Sequence, residues 1–144
     1  MKKLFTIIAI LFLVVLIILT MKIKQIQKEK IAIKNFNQEY EQYNKEEVYG
    51  SDVTTVMNKA IDNNEKFNIA KDENGSYIED DSNSIKVEIK MILNDKTYTM
   101  EQINKLGMDS FIAYFSEITF KCSEIKYHEK TGKVSKIVFE STKE

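Results

Sequence analysis

The chain has 144 residues, a formal net charge of −1 and 43% hydrophobic content, which fits one ordinary domain and excludes a large multidomain enzyme. The near-neutral total conceals a division: residues 1–35 carry seven lysines against the single acid Glu29, whereas residues 36–144 carry fourteen lysines against twenty-one acids. Proline, tryptophan and arginine are absent, and Cys122 and His128 are the only cysteine and histidine. Arginine forks on phosphate, an intramolecular disulfide and the Cys/His sets of zinc or haem sites are thereby excluded.

Residues 1–3 form a short basic tail, and Leu4 to Met21 then runs eighteen residues without a charge. At about 1.5 Å per residue the run reaches ~27 Å, close to the ~30 Å hydrocarbon core of a bilayer. It reads as a transmembrane helix over 4–21, with Leu4, Phe5, Ile7, Ile8, Ile10, Leu11, Phe12, Leu13, Val14, Val15, Leu16, Ile17, Ile18 and Leu19 as anchor side chains. A cleaved signal would have a shorter apolar core and an Ala-x-Ala site, which Ala9 and Ala32 do not supply. A soluble core helix fits worse still, because a helix apolar on every face needs a protein shell around it. Beyond the run, Lys22, Lys24, Lys28, Lys30 and Lys34 form a juxtamembrane basic segment. Interfacial anchoring is a sufficient reading of these lysines; facing a negatively charged leaflet, they would also attract anionic headgroups by about 1 kcal/mol each. Their number on this side conflicts with the positive-inside rule for an exported domain. A three-residue basic tail before an apolar run nevertheless keeps its own end inside. The expectation is therefore a single-pass protein of the cell membrane with an extracytoplasmic C-terminal domain.

Residues 22–49 continue as a stalk helix, with Ile33, Phe36, Tyr40 and Tyr43 on one stripe and Gly50 as its end. From residue 50 to 144 the pattern predicts an α+β domain in which helices cover one face of an antiparallel sheet. Ser51 or Asp52 caps a helix whose stripe is Val53, Val56, Met57, Ala60 and Ile61, stopped by Asn63-Asn64. Such a stripe is core packing far more often than a ligand groove. A short hairpin is expected around Asn74-Gly75. Ile85, Val87, Ile89 and Met91 alternate with charged residues and mark the cleanest strand. Thr99 to Gln102 fits a capping box opening a helix that ends at Gly107, and a further helix from Asp109 or Ser110 carries Phe111, Ile112, Tyr114 and Phe115 as the expected main core contribution. Two strands, about Ile118–His128 and Lys133–Glu140, close the chain around a turn with Gly132.

Candidate chemistry is sparse. On one regular strand Cys122 and His128 stand ~20 Å apart, far beyond the ~3 Å of proton transfer, so a packed thiol and a surface imidazole are expected unless Ser123-Glu124 bulges. The run Glu79-Asp80-Asp81 with Ser82, Asn83 and Ser84 offers oxygen ligands, but neither it nor Asp72-Glu73-Asn74-Gly75 has EF-hand spacing, and solvated loops are expected. An acidic folded part without arginine argues against nucleic acid, and the four scattered glycines form no phosphate loop. No metal or cofactor is expected.

The basic tip, apolar helix, amphipathic continuation and following antiparallel sheet resemble the layout of type IV pilin-like and pseudopilin-like subunits over about the first fifty residues, with Lys3, Leu4, Phe5, Thr6, Ile7 and Ile8 where that family has its processing glycine and early glutamate. Tyr49-Gly50-Ser51-Asp52-Val53, Asn58 to Asn64 and Lys130 to Ile137 resemble small uncharacterised single-pass membrane-anchored proteins of low-GC bacteria, from which no activity carries over. Together these readings point to a non-enzymatic structural or protein-interaction module. Its partners would be the lipid bilayer and a protein neighbour, or a second copy through the stalk helix, and a pilus-like or secretion assembly would be its setting. The alternatives are a membrane-tethered enzyme or small-ligand binder using carboxylates, and a cytoplasmic-facing regulator of a membrane complex.

Overall fold

A computed structural model describes residues 2–142, so Met1 of the expected tail lies outside the described residues. The elements are helix α1 (Lys2–Glu41), strand β1 (Val48–Tyr49), helix α2 (Gly50–Lys66), strands β2 (Lys86–Met91) and β3 (Lys96–Thr99), helices α3 (Met100–Leu106) and α4 (Met108–Phe115), and strands β4 (Thr119–Tyr127) and β5 (Val134–Ser141). The chain divides into two compact units between Asn35 and Phe36. The first unit is helical from Lys2, so the basic tail is the first turn of α1. Its isoleucines and valines have modest helix propensity. As a helix the segment pairs its backbone groups within itself, whatever surrounds it.

The second unit is an α+β fold on a five-stranded sheet of order β1-β4-β5-β2-β3. All neighbouring strands are antiparallel except β2 and β5, which run parallel and are separated in the chain by β3, α3, α4 and β4. The register puts Val87 beside Ile137 and Ile89 beside Phe139, all buried on the face that α2 and α3 cover. On the other face Lys136 pairs with Glu88 at 2.8 Å, and Glu140 is shared by Lys90 and Lys121 at 3.3 and 3.5 Å. Partial burial would raise the Glu140 carboxyl, but these two ammonium groups bring it below its ordinary value. The alternation read from Ile85 to Met91 is thus a dry face and a wet face of one strand.

Several boundaries differ from expectation, each because a tertiary contact outweighs a local signal. The stalk does not reach Gly50. α1 ends at Glu41, and the chain then runs along the outer edge of β4, where Lys45 O accepts from Cys122 N at 3.0 Å and Val48 pairs with Phe120. Gly50 instead opens α2, with Tyr49 as its N-cap and no side-chain cap from Ser51 or Asp52. There the helix start presses on the end of α4, and a Cβ at Gly50 would collide with the Phe115 carbonyl. Asn63 and Asn64 do not stop α2. They lie inside it, and Asn64, fully buried, donates Nδ2–H to Ile85 O and accepts Ile85 N–H at Oδ1, both at 2.8 Å. The weak helix propensity of Asn, under about 0.7 kcal/mol, is outweighed by two buried hydrogen bonds of about 1 kcal/mol each.

The Asn74-Gly75 hairpin is reduced to one bridge, Lys71 to Tyr77. The capping box forms as expected, Thr99 Oγ1 accepting from Gln102 N and Gln102 Oε1 from Thr99 N. Of the α4 side chains named as core, Phe111 is buried and Phe115 partly so, whereas Ile112 and Tyr114 are exposed, at 38% and 78%. The largest fully buried side chains among the described residues are Phe120 and Phe139 on adjacent strands. β3 carried no signal strong enough to be read, and it is reached through the left-handed Asp95 at φ 51°.

The last turns of α1 belong to this unit. Asn37 Nδ2 donates to Gly132 O at 2.8 Å and its Oδ1 accepts from Val134 N at 2.9 Å. Tyr40 is buried in the core, and Lys133 Nζ lies 5.4 Å from the Phe36 ring and 5.0 Å from that of Phe67.

Two outcomes follow for unfolding of the full chain in detergent, followed by tyrosine fluorescence. Asn64→Ala leaves the Ile85 N–H and C=O without their partner and should lower stability by about 2–4 kcal/mol. Gly50→Ala should lower it by about 1–3 kcal/mol through overpacking against α4.

Candidate membrane anchor and surface pockets

α1 contains one stretch long and apolar enough to cross a membrane, and none of that window is buried by protein. All fourteen anchor side chains named from the sequence are exposed, from Leu16 at 42% to Phe5 at 77%. Thr20 turns its hydroxyl back on Ile17 O at 2.8 Å, which hides a polar group inside the helix's own backbone. Lys22, Lys24, Lys28, Lys30 and Lys34 are all exposed on the same helix. Their offsets of two, four, two and four residues distribute them around the whole circumference at 3.6 residues per turn. They make a collar, the form suited to a helix that passes through an interface and unlike the single basic face of one lying on it. The helix from Lys22 to Asn35 rises ~21 Å, well beyond a headgroup layer of about 5–8 Å.

The folded unit does not bring Cys122 and His128 together as a reactive pair. The strand is not regular there: a register shift lies between Cys122 and Glu124, the one departure that could have brought the pair closer. Even so, the half-buried thiol turns to its own strand, Sγ donating to Glu124 O at 3.7 Å, and burial pushes its pKa up, away from the reactive thiolate. His128, expected at the surface, is buried at 7% exposure with Nε2 at 2.8 Å from Ser84 O. The sequence showed a turn nearby. It did not show that the loop of residues 79–84 folds over that turn.

In that loop the Asp80 carboxylate is the organising group. Its Oδ1 accepts from the backbone N–H of Ser82, Asn83 and Ser84 at 3.0, 2.6 and 2.6 Å. Partial burial alone would raise its pKa, but these donors, with Ser84 foremost, bring it down to about 2. Asp81 pairs with Lys130 at 3.0 Å and Glu79 with Lys86 at 3.0 Å. Together with Glu129 these acids line a polar pocket of about 530 Å³. General acid–base work needs a carboxyl poised near the operating pH. Asp80 and Asp81 are both moved the opposite way, Asp81 chiefly by the Ser82 hydroxyl and Lys130. Among the described residues, no group of three or more His, Cys, Asp or Glu side chains is arranged to hold a metal. In the second loop Asp72 likewise accepts from Asn74 N and Ser76 N, both at 2.9 Å.

A second pocket, of about 270 Å³ and largely apolar, lies between the sheet and helices α3 and α4, walled by Ile89, Tyr98, Ile103, Phe111 and Phe115, with Leu106 and Tyr114 exposed at its mouth. Among the described residues that line it, none carries a carboxylate. Sequence reading assigned Tyr114 to the core. The signal available was one apolar residue too many around α4 for a helix of two turns with one buried face.

The Asp80 contribution to stability has a defined pH window. Its folded-state pKa is depressed below the ordinary 3.8, so the contribution is complete above about pH 4 and disappears as pH falls toward 2. Asp80→Asn should cost about 1–2 kcal/mol at pH 7 in chemical denaturation, with the gap to the parent closing near pH 2.

No family model, curated protein or solved structure matches this chain.

Proposed function

We propose that this chain is a single-pass membrane protein, held by residues 4–21, whose folded unit is a non-enzymatic structural or interaction module on the extracytoplasmic side. One observation carries the reading: a continuous apolar helix without protein cover, in a chain whose second unit forms its hydrophobic core from residues at Phe36 and later. On insertion scales the fourteen Leu, Ile, Val and Phe residues are together worth at most roughly 4–8 kcal/mol in lipid. The lysine collar supports passage through an interface, and the three-residue basic start supports the orientation. Support for a non-enzymatic role comes from how the reactive side chains are engaged: the Cys122 thiol with its own strand, the His128 imidazole with the Ser84 carbonyl, and the Asp80 carboxylate with three backbone amides. A surface module of this kind works by docking neighbours in a pilus-like or secretion-type assembly.

The full-length chain should remain in the membrane pellet after alkaline carbonate extraction. Leu11→Lys combined with Val14→Lys, at about 3–4 kcal/mol per substitution, should release it. Protease added to intact cells should remove the folded unit. A chain found in the carbonate supernatant contradicts the anchor, and a folded unit protected until lysis contradicts the orientation.

A further inference from the structure

We infer that the juxtamembrane part of α1 is a parallel dimerisation seam for a second copy of this chain, in a register set by Glu29 of each copy against Lys34 of the other. The inference rests on the membrane anchoring proposed above and adds its partner. Past the apolar run, Ile23, Ile26, Lys30 and Ile33 recur at intervals of three, four and three residues. That is the a/d spacing of a coiled-coil seam, and it continues the line of Leu16 and Leu19 out of the span. Ile23 and Ile26 are 54% and 52% exposed, beyond the segment that lipid would cover. Lys24 and Lys28 fall on the opposite side of the helix, so the seam has a polar back.

Charge selects the occupant. With Ile23 at position a, Glu29 falls at g and Lys34 at the e position of the next heptad, the pair that meets across a parallel dimer. Glu29 is the only acid in residues 1–35, and within one chain it accepts from Gln25 Nε2 at 3.2 Å while remaining exposed. A two-fold axis makes the contact twice, Glu29 to Lys34 in each direction. Lys30 at an a position weakens the seam and favours one register over others, its long stem carrying the ammonium out to solvent. Two heptads alone are too short to associate in water. Two anchors inserted in the same direction in one membrane are already parallel, and confinement raises their effective concentration.

The test uses the full-length chain in membranes, in a Cys122→Ala background, with single cysteines introduced as Ile23→Cys, Ile26→Cys, Lys24→Cys or Lys28→Cys and oxidised with copper phenanthroline. The two seam positions should give severalfold more covalent dimer than the two on the back. Equal yields at all four positions, or no dimer from chain that stays in the carbonate pellet, overturn the seam and leave the anchor standing. Release into the carbonate supernatant overturns both. Without introduced cysteines, two differently tagged copies should co-purify in mild detergent. Lys34→Glu should reduce the captured copy severalfold, and adding Glu29→Lys should restore it. A double variant no better than the single one overturns the ion-pair register.

Discussion

Everything about this chain follows from one imbalance: eighteen consecutive uncharged side chains have no protein to cover them. A helix apolar around its full circumference is stable only inside a large protein or in lipid. The folded unit closes its own core around Phe120, Phe139, Met57 and Ile89. The lysine collar and the internally bonded Thr20 hydroxyl both fit the edge of a bilayer, where a charge reaches headgroups and a polar side chain must satisfy itself.

The folded unit is held together by an unusual division of labour between apolar packing and asparagine. Asn37 joins the last turns of α1 to the β4–β5 turn, Asn63 donates to Asn83 O at 2.7 Å, and Asn64 reads both backbone groups of Ile85. Each takes the place of a strand neighbour for backbone that the sheet cannot reach, which is how irregular chain is buried without orphaned polar groups. No buried side-chain nitrogen or oxygen among the described residues lacks a partner. The same device holds the end of α1 from Phe36 onward inside the folded unit. Asn37 and the buried Tyr40 are held there by hydrogen bonds and packing, and Tyr127, pushed up to about 12 by its hydrogen bond to Glu41 and by burial, adds a further tie.

Much of the architecture was legible because its signals are local and periodic. The apolar run, the Val53 to Ile61 stripe, the alternation from Ile85 to Met91 and the Thr99–Gln102 box each depend on neighbours within a few residues. What escaped reading depends on partners far along the chain. Asn63-Asn64 looked like a helix stop because the backbone of residues 83–85 is not visible from position 64. His128 looked like a surface group because Ser84, 44 residues away, supplies its partner. The parallel pairing of β2 with β5 and the short edge strand β3 are choices of topology that no window of sequence contains. The apolar pocket escaped for a related reason: side chains that look like core by composition are left at the surface when a two-turn helix has only one face to bury.

The most direct measurement of where the apolar helix resides is fluorescence from Phe12→Trp, the introduced indole being the only tryptophan in the chain, reconstituted in vesicles whose lipids carry bromine at graded depths along the acyl chain. Placement of residues 4–21 across the bilayer predicts blue-shifted emission, quenched most strongly by bromines nearest the bilayer centre. Emission at the wavelength of water-exposed indole, indifferent to bromine at every depth, would contradict it.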